Sequence, residues 1–333
     1  METRELLEKI KTIPIHSASL AEQLLAGNFR SVFKGQGIEF DEARHYQSGD
    51  DIRAIDWNAS ARFGIPFIKQ FREERDLTIL ILLDTSASMH RDRHIFREES
   101  SAGKRMTPYE QGILAAALIA FSAEQKSQRV GALLFDRNVH RVFLPRKGRQ
   151  HLMALIGAVL QYQDARNSAS VSHNRMSAAH YEHGGADGSN VAAALAGADK
   201  LLKRRSLVAL ISDFMSANWE DELGRLCRRH DVIALRVSDP ADVEIPDWGL
   251  TVMEDPETAV RITAPASSQL FGDAWKEWHT QRAELCASAC RRSGAAHLEL
   301  PVTADAAAAL HRFFSAGSKH GLSRHAAAQH GVQ

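Results

Sequence analysis

Asp84, Ser86 and Ser88 stand at alternate positions in Asp84-Thr85-Ser86-Ala87-Ser88-Met89. One carboxylate followed by two hydroxyls is an all-oxygen donor set. Such donors suit a hard divalent cation, Mg2+ or Mn2+, which keeps part of its water and needs few protein carboxylates. Farther along, Asp213 ends the run Ser206-Leu-Val-Ala-Leu-Ile-Ser212, and Ser189 opens an apolar helical segment with Asp187 two residues before it. Taken alone, Asp-x-Ser-x-Ser is also the pattern of a strand running into an Asx or Ser turn. The elements around these residues must decide between the two.

The six residues before Asp84, Thr78-Ile-Leu-Ile-Leu-Leu, form a short uninterrupted apolar run, the mark of a strand buried on both faces of a parallel sheet. Val130–Phe135, Ser206–Ser212 and Val232–Val237 repeat that character, and helical patterns separate them. Strands alternating with helices predict an α/β fold, a doubly wound, mainly parallel sheet. In such sheets ligands bind outside the carboxyl ends of the strands. Asp84 and Asp213 both fall at such ends.

The expected layout is a helical segment over 1–27, a β-rich region over 28–74, the α/β domain over 75–317 and a disordered tail over 318–333. Within the domain, Thr107-Pro108-Tyr109-Glu110 has the form of a capping box with proline at the first helical position. Val139–Leu144 alternates and reads as an edge strand before Pro145; a short helix follows over 151–160. Residues 162–188 lack periodicity and read as a long loop whose His173, His180 and His183 are solvated. Ser189 is placed to cap a helix running through Leu202. Further helices are expected over 218–230, 268–293 and 303–315, with short strands near 250, 260 and Leu298–Leu300.

Hydrophobic residues make up 44% of the 333, enough for a sizeable core, and the 41 basic and 41 acidic side chains cancel. No global field attracts nucleic acid. Three cysteines, Cys227, Cys286 and Cys290, make no disulfide framework and suit a reducing compartment; Cys286 and Cys290, one helical turn apart, read as packed thiols. The charged opening Met-Glu-Thr-Arg-Glu shows no signal peptide, and no apolar segment reaches the length of a membrane span. The expectation is a cytoplasmic protein. No Gly-Lys-Ser/Thr occurs, so a P-loop is absent, and Gly35-x-Gly37 reads as a turn rather than a phosphate cradle. Arg44, Arg53 and Arg62 are expected to pair with Asp50, Asp51 and Asp56.

A larger pattern runs through the first quarter of the chain. It consists of Gly35-x-Gly-x-Glu-Phe40, Arg44-x-Tyr-x-x-Gly-Asp-Asp-x-Arg-x-Ile-Asp-Trp-x-x-Ser-Ala-Arg62, Phe71-x-x-Glu-Arg75 and Asp84-x-Ser-x-Ser88. These fixed spacings resemble the domain-of-unknown-function 58 family over roughly residues 30–315. Members of that family resemble von Willebrand factor A domains and are encoded beside MoxR-type AAA+ ATPases. The resemblance implies a metal-ion-dependent adhesion site on Asp84, Ser86 and Ser88, with a hydroxyl from Ser189, or Asp187 in its stead, and Asp213 as the second acid. It also implies work beside a MoxR-type ATPase, on a client protein, in maturation or remodelling.

Two carboxylates and several alcohols leave a cation electron-poor, with a position open to a partner's carboxylate. That favours binding over catalysis, because no nucleophile–base set accompanies it. An aspartate-nucleophile phosphohydrolase of the haloacid dehalogenase type would need a second acid two residues after the first, where Ser86 stands. A scaffold without metal is the remaining alternative.

Overall fold

The computed structural model describes residues 39–47, 55–72, 77–90, 106–173, 189–245, 247–255, 257 and 260–319. Outside them lie the expected helix over 1–27, Gly35 and Gly37, Asp50, Asp51 and Arg53, His180, His183 and Asp187, and the tail from residue 320. The chain divides into a small unit, Phe29–Leu77, and a large one that includes Thr78–Gln333.

In the small unit, β1 (Glu39–His45) pairs antiparallel with β2 (Phe67–Arg72), and α1 (Trp57–Phe63) comes between them in the chain. The Asp56 carboxylate accepts the Asn58 amide at 3.0 Å, an Asx turn that starts this helix.

The large unit begins with β3 (Thr78–Asp84), α2 (Pro108–Gln125), β4 (Arg129–Phe135), β5 (Val139–Arg146) and α3 (Arg149–His173). Then come α4 (Val191–Leu201), β6 (Leu207–Ser212), α5 (Glu220–Arg229) and β7 (Asp231–Ser238). The hairpin β8 (Leu250–Glu254) and β9 (Arg261–Pro265), α6 (Gln269–Ser293), β10 (Ala296–Pro301) and α7 (Ala306–Lys319) complete it. Six strands form one sheet in the order β10-β7-β6-β3-β4-β5, parallel throughout except for β5, which runs antiparallel to β4. The β8–β9 pair is a separate two-stranded sheet. This is the mixed α/β architecture with a mainly parallel central sheet that the apolar runs predict.

β3 sits between β4 and β6, and the pleat explains its unbroken aliphatic sequence. Ile79 to Leu83 are at most 1% exposed. Leu80 and Leu82 join Leu133, Phe135 and Leu210 in the layer covered by α4, α5 and α6. The alternate residue Leu83 faces α2, where Gly112 permits a close approach. A Cβ on Gly112 would lie 3.2 Å from the Ile211 side chain and 3.4 Å from that of Leu83. α3 and α7 pack beside α2. The start of α2 is the expected capping box: Thr107 Oγ1 accepts the Glu110 amide at 3.2 Å, and Glu110 Oε2 accepts the Thr107 amide at 2.9 Å. Cys286 and Cys290 are buried in the core layer of α6.

Three local expectations change. The helix expected over 151–160 runs from Arg149 to His173, because no glycine or proline interrupts residues 158–173, so residues 162–173, expected as loop, are helical. Edge strand β5 includes Pro145, tolerable where a strand needs no second partner. The cap of α4 is Asn190, whose side chain accepts the Ala193 amide at 2.9 Å, and not Ser189. Among the described residues, no helix is long and apolar enough to cross a membrane.

Candidate functional site

β3 ends at Asp84, and its parallel neighbour β6 ends at Ser212. Leu83 lies opposite Ile211, so the register sets Asp84 beside Ser212, with Asp213 one residue past the strand. Parallel pairing therefore delivers two acids to one end of the sheet.

Asp84 is fully buried. Its Oδ1 accepts the Ser86 amide at 2.9 Å, which bends the chain into the 3-10 turn Ala87–His90. Its Oδ2 accepts two hydroxyls, Ser189 Oγ and Ser212 Oγ, each at 2.6 Å. Ser86 Oγ and Ser88 Oγ are 3.0 Å apart. Thr85, between Asp84 and Ser86 in sequence, turns to the sheet instead and donates to the Phe135 carbonyl at 2.9 Å. Handing the cap of α4 to Asn190 leaves the Ser189 hydroxyl available to Asp84. Asp213, 5% exposed, accepts the Met215 amide on Oδ1 at 3.1 Å and also lines a cleft with Met215, Arg236, Asp239 and His279.

The structure thus brings Asp84, Ser86, Ser88, Ser189 and Asp213 together. Two further residues belong to this neighbourhood, and sequence reasoning did not select them. Ser212 was visible as the residue before Asp213, but a serine closing a buried strand also reads as ordinary strand sequence. Glu257, in the turn between β8 and β9, accepts the Ser88 amide on Oε1 at 2.7 Å. Nothing local marks it, because 169 residues separate the pair.

Burial, and then the Asp213 carboxylate, push the Asp84 carboxyl up to about 7, against hydrogen bonds from Ser189, Ser212 and Ser86 that pull it down. The groups that act most strongly on Asp84 are one acid and three serines. A buried carboxylate in this position has hydroxyl dipoles to solvate it and a like charge to oppose it. Mg2+ or Mn2+ suits that donor set, which consists of oxygen atoms. No group of three or more His, Cys, Asp or Glu residues is arranged to hold a metal among the described residues; the candidate donors here are two carboxylates and three hydroxyls.

Comparison with known proteins adds a family. The profile described as "Protein of unknown function DUF58" matches residues 42–284. The chain belongs to the DUF58 family. Uncharacterized proteins of Mycobacterium tuberculosis and Mycobacterium bovis are each 28% identical to it over 322 residues, covering 96% of this chain and 92% of theirs. A further uncharacterized protein, from Mycobacterium avium, is 39% identical over 112 residues, 33% of this chain and 66% of its own. Among solved structures, an uncharacterized membrane-spanning protein from Vibrio fischeri aligns at 11% identity over 73% of this chain and 98% of its own. Its TM-score is 0.21, too low to describe a shared fold.

Proposed function

We propose that this DUF58 protein is a non-enzymatic, divalent-cation-dependent protein-binding module. The observation that carries the reading is the setting of Asp84: fully buried, next to a second acid, and hydrogen-bonded among the described residues by two serine hydroxyls and the Ser86 amide. Asp84, Ser86, Ser88, Ser189 and Asp213 would hold Mg2+ or Mn2+. A bound ion supplies an electrophilic position for an oxygen from outside.

The chain's own residues set the rest. Two carboxylates offset the ion's charge, while the hydroxyls stay neutral, so an incoming carboxylate gains more there than in an all-acid site. The carboxyl-end placement on a parallel sheet is similar to the adhesion site of von Willebrand factor A domains and supports the same reading. Ser86, at the position where an aspartate-nucleophile phosphohydrolase needs an acid, is held by Ser88 and cannot serve as that acid. From the family resemblance we infer action with a MoxR-type AAA+ ATPase, on a client protein that donates the carboxylate. We place this work in the cytoplasm, since three cysteines without a disulfide framework suit a reducing compartment.

Thermal unfolding in Mg2+ and in Mn2+ tests the site. An ion bound only by the folded state at 100 times its Kd adds about 2.7 kcal/mol, or roughly 5–10 °C for a domain of this size. A saturable rise of that order is expected in the wild type and none in Asp84→Ala. Equal responses in both proteins, or no response in either, would overturn the proposal.

A further inference from the structure

Glu257 stands out because nothing in the proposed ion site requires it, yet three contacts pin it there. Its carboxylate accepts the Ser88 amide at 2.7 Å. Its carbonyl accepts Arg137 Nη2 at 2.9 Å, from the turn after β4. Its own amide donates to Asp255 Oδ1 at 3.0 Å, which shapes the β8–β9 turn. Asp255 in turn donates its amide to the Val260 carbonyl at 2.9 Å, closing the hairpin. A carboxylate is therefore presented, from a segment far along the chain, to the backbone of the Asp-x-Ser-x-Ser turn.

The hairpin that carries it is lightly anchored. β8 and β9 pair only with each other, and Leu250, Val252 and Ile262 are 78%, 64% and 52% exposed. Two-stranded hairpins of this kind are marginal on their own. The six-stranded sheet takes no strand from this pair, which places β8 and β9 toward the low-stability end of the molecule.

We propose that Glu257 is the site's built-in occupant, an internal carboxylate that an outside carboxylate must displace. This inference rests on the cation-site reading of Asp84 and Asp213. It makes the partner a segment presenting Asp, Glu or a chain-terminal carboxylate, and it makes the β8–β9 hairpin the element that yields. Once the ion is bound, Glu257 competes for its open position as a replaceable ligand, and in this way sets the affinity threshold for partners.

The test uses the full chain, Mn2+ and acetate as a minimal carboxylate probe, with water-proton relaxation of the bound Mn2+ as the readout. Glu257→Gln keeps the shape and an oxygen acceptor for Ser88 but loses the charge. Mn2+ binding is expected to persist in this variant, and acetate to bind it at least about tenfold more tightly than the wild type, the scale of one hydrogen bond to a charged group. Arg137→Gln, which releases the turn's carbonyl, should shift acetate affinity in the same direction. In metal-free protein, hydrogen exchange at the Ser88 amide should quicken in both variants. Equal acetate affinity in wild type and Glu257→Gln, with Mn2+ bound to both, overturns the internal occupant and leaves the ion site standing. Loss of Mn2+ binding in a folded Glu257→Gln protein also overturns it, by making Glu257 an obligatory ligand. Failure of the wild type to bind Mn2+ removes the ion site and the internal occupant together.

Discussion

Replacing Asp84 by asparagine removes a charge from a place where the metal-free protein holds it at a cost. With the carboxyl raised from 3.8 to about 7, the folded state binds a proton that the unfolded chain gives up between those values. Stability attributable to this group therefore falls as pH rises from about 4 to about 7 and is constant above. The full difference is on the order of 4 kcal/mol at pH 8. Asparagine escapes that cost but reverses a hydrogen bond, because its Nδ2 must donate where Oδ2 accepted Ser189 and Ser212. Ser212 Oγ already accepts the Phe214 amide at 3.0 Å, so its hydroxyl proton must find another acceptor. That loss offsets roughly 1–2 kcal/mol. Asp84→Asn should then match the wild type near pH 5 and exceed it by about 2–3 kcal/mol at pH 8, measured by urea unfolding in a chelating buffer. Saturating Mg2+ should narrow or reverse the gap, since only the wild type gains from the ion. A variant no more stable than the wild type at pH 8 without metal, or a gap independent of pH, would refute the electrostatic reasoning.

Two further outcomes follow from the same carboxylate. Cation binding requires ionised Asp84, so apparent Mn2+ affinity should rise about tenfold per pH unit below 7 and level off above it; isothermal titration between pH 5.5 and 8.5 measures this. Ser212→Ala deletes a hydroxyl that stabilises the ionised form, and should move the midpoint of that profile to higher pH while weakening Mn2+ binding.

Much of this geometry is legible in the sequence because it follows from local pattern and strand register. The apolar run into Asp84 fixes a strand buried on both faces, and the matching run into Ser212-Asp213 fixes its parallel neighbour. Once those strands pair, the two acids share an end of the sheet. Thr107 and Glu110 cap α2 as their spacing predicts, since a capping box is closed within four residues. Legibility fails where one residue chooses between competing partners. Ser189 and Asn190 are both good caps, and the tertiary hydrogen bond to Asp84 is what assigns the cap to Asn190. Ser212 reads as strand because a strand-end serine reveals its second role only when a carboxylate lies beside it. Glu257 is beyond any local pattern: its meeting with Ser88 depends on how a separate hairpin folds over the sheet's end.

The claim on which the account depends is that Asp84 and Asp213 share one cation. Anomalous scattering from crystals grown with Mn2+ measures this directly. A single peak is expected at the carboxyl ends of β3 and β6, about 2.0–2.2 Å from liganding oxygens of the Asp84, Ser86, Ser88 and Ser189 set, with the Asp213 carboxylate bound to it directly or through one water, and absent from Asp84→Ala. No peak there at millimolar Mn2+, or one that persists in the Asp84→Ala protein, would contradict it.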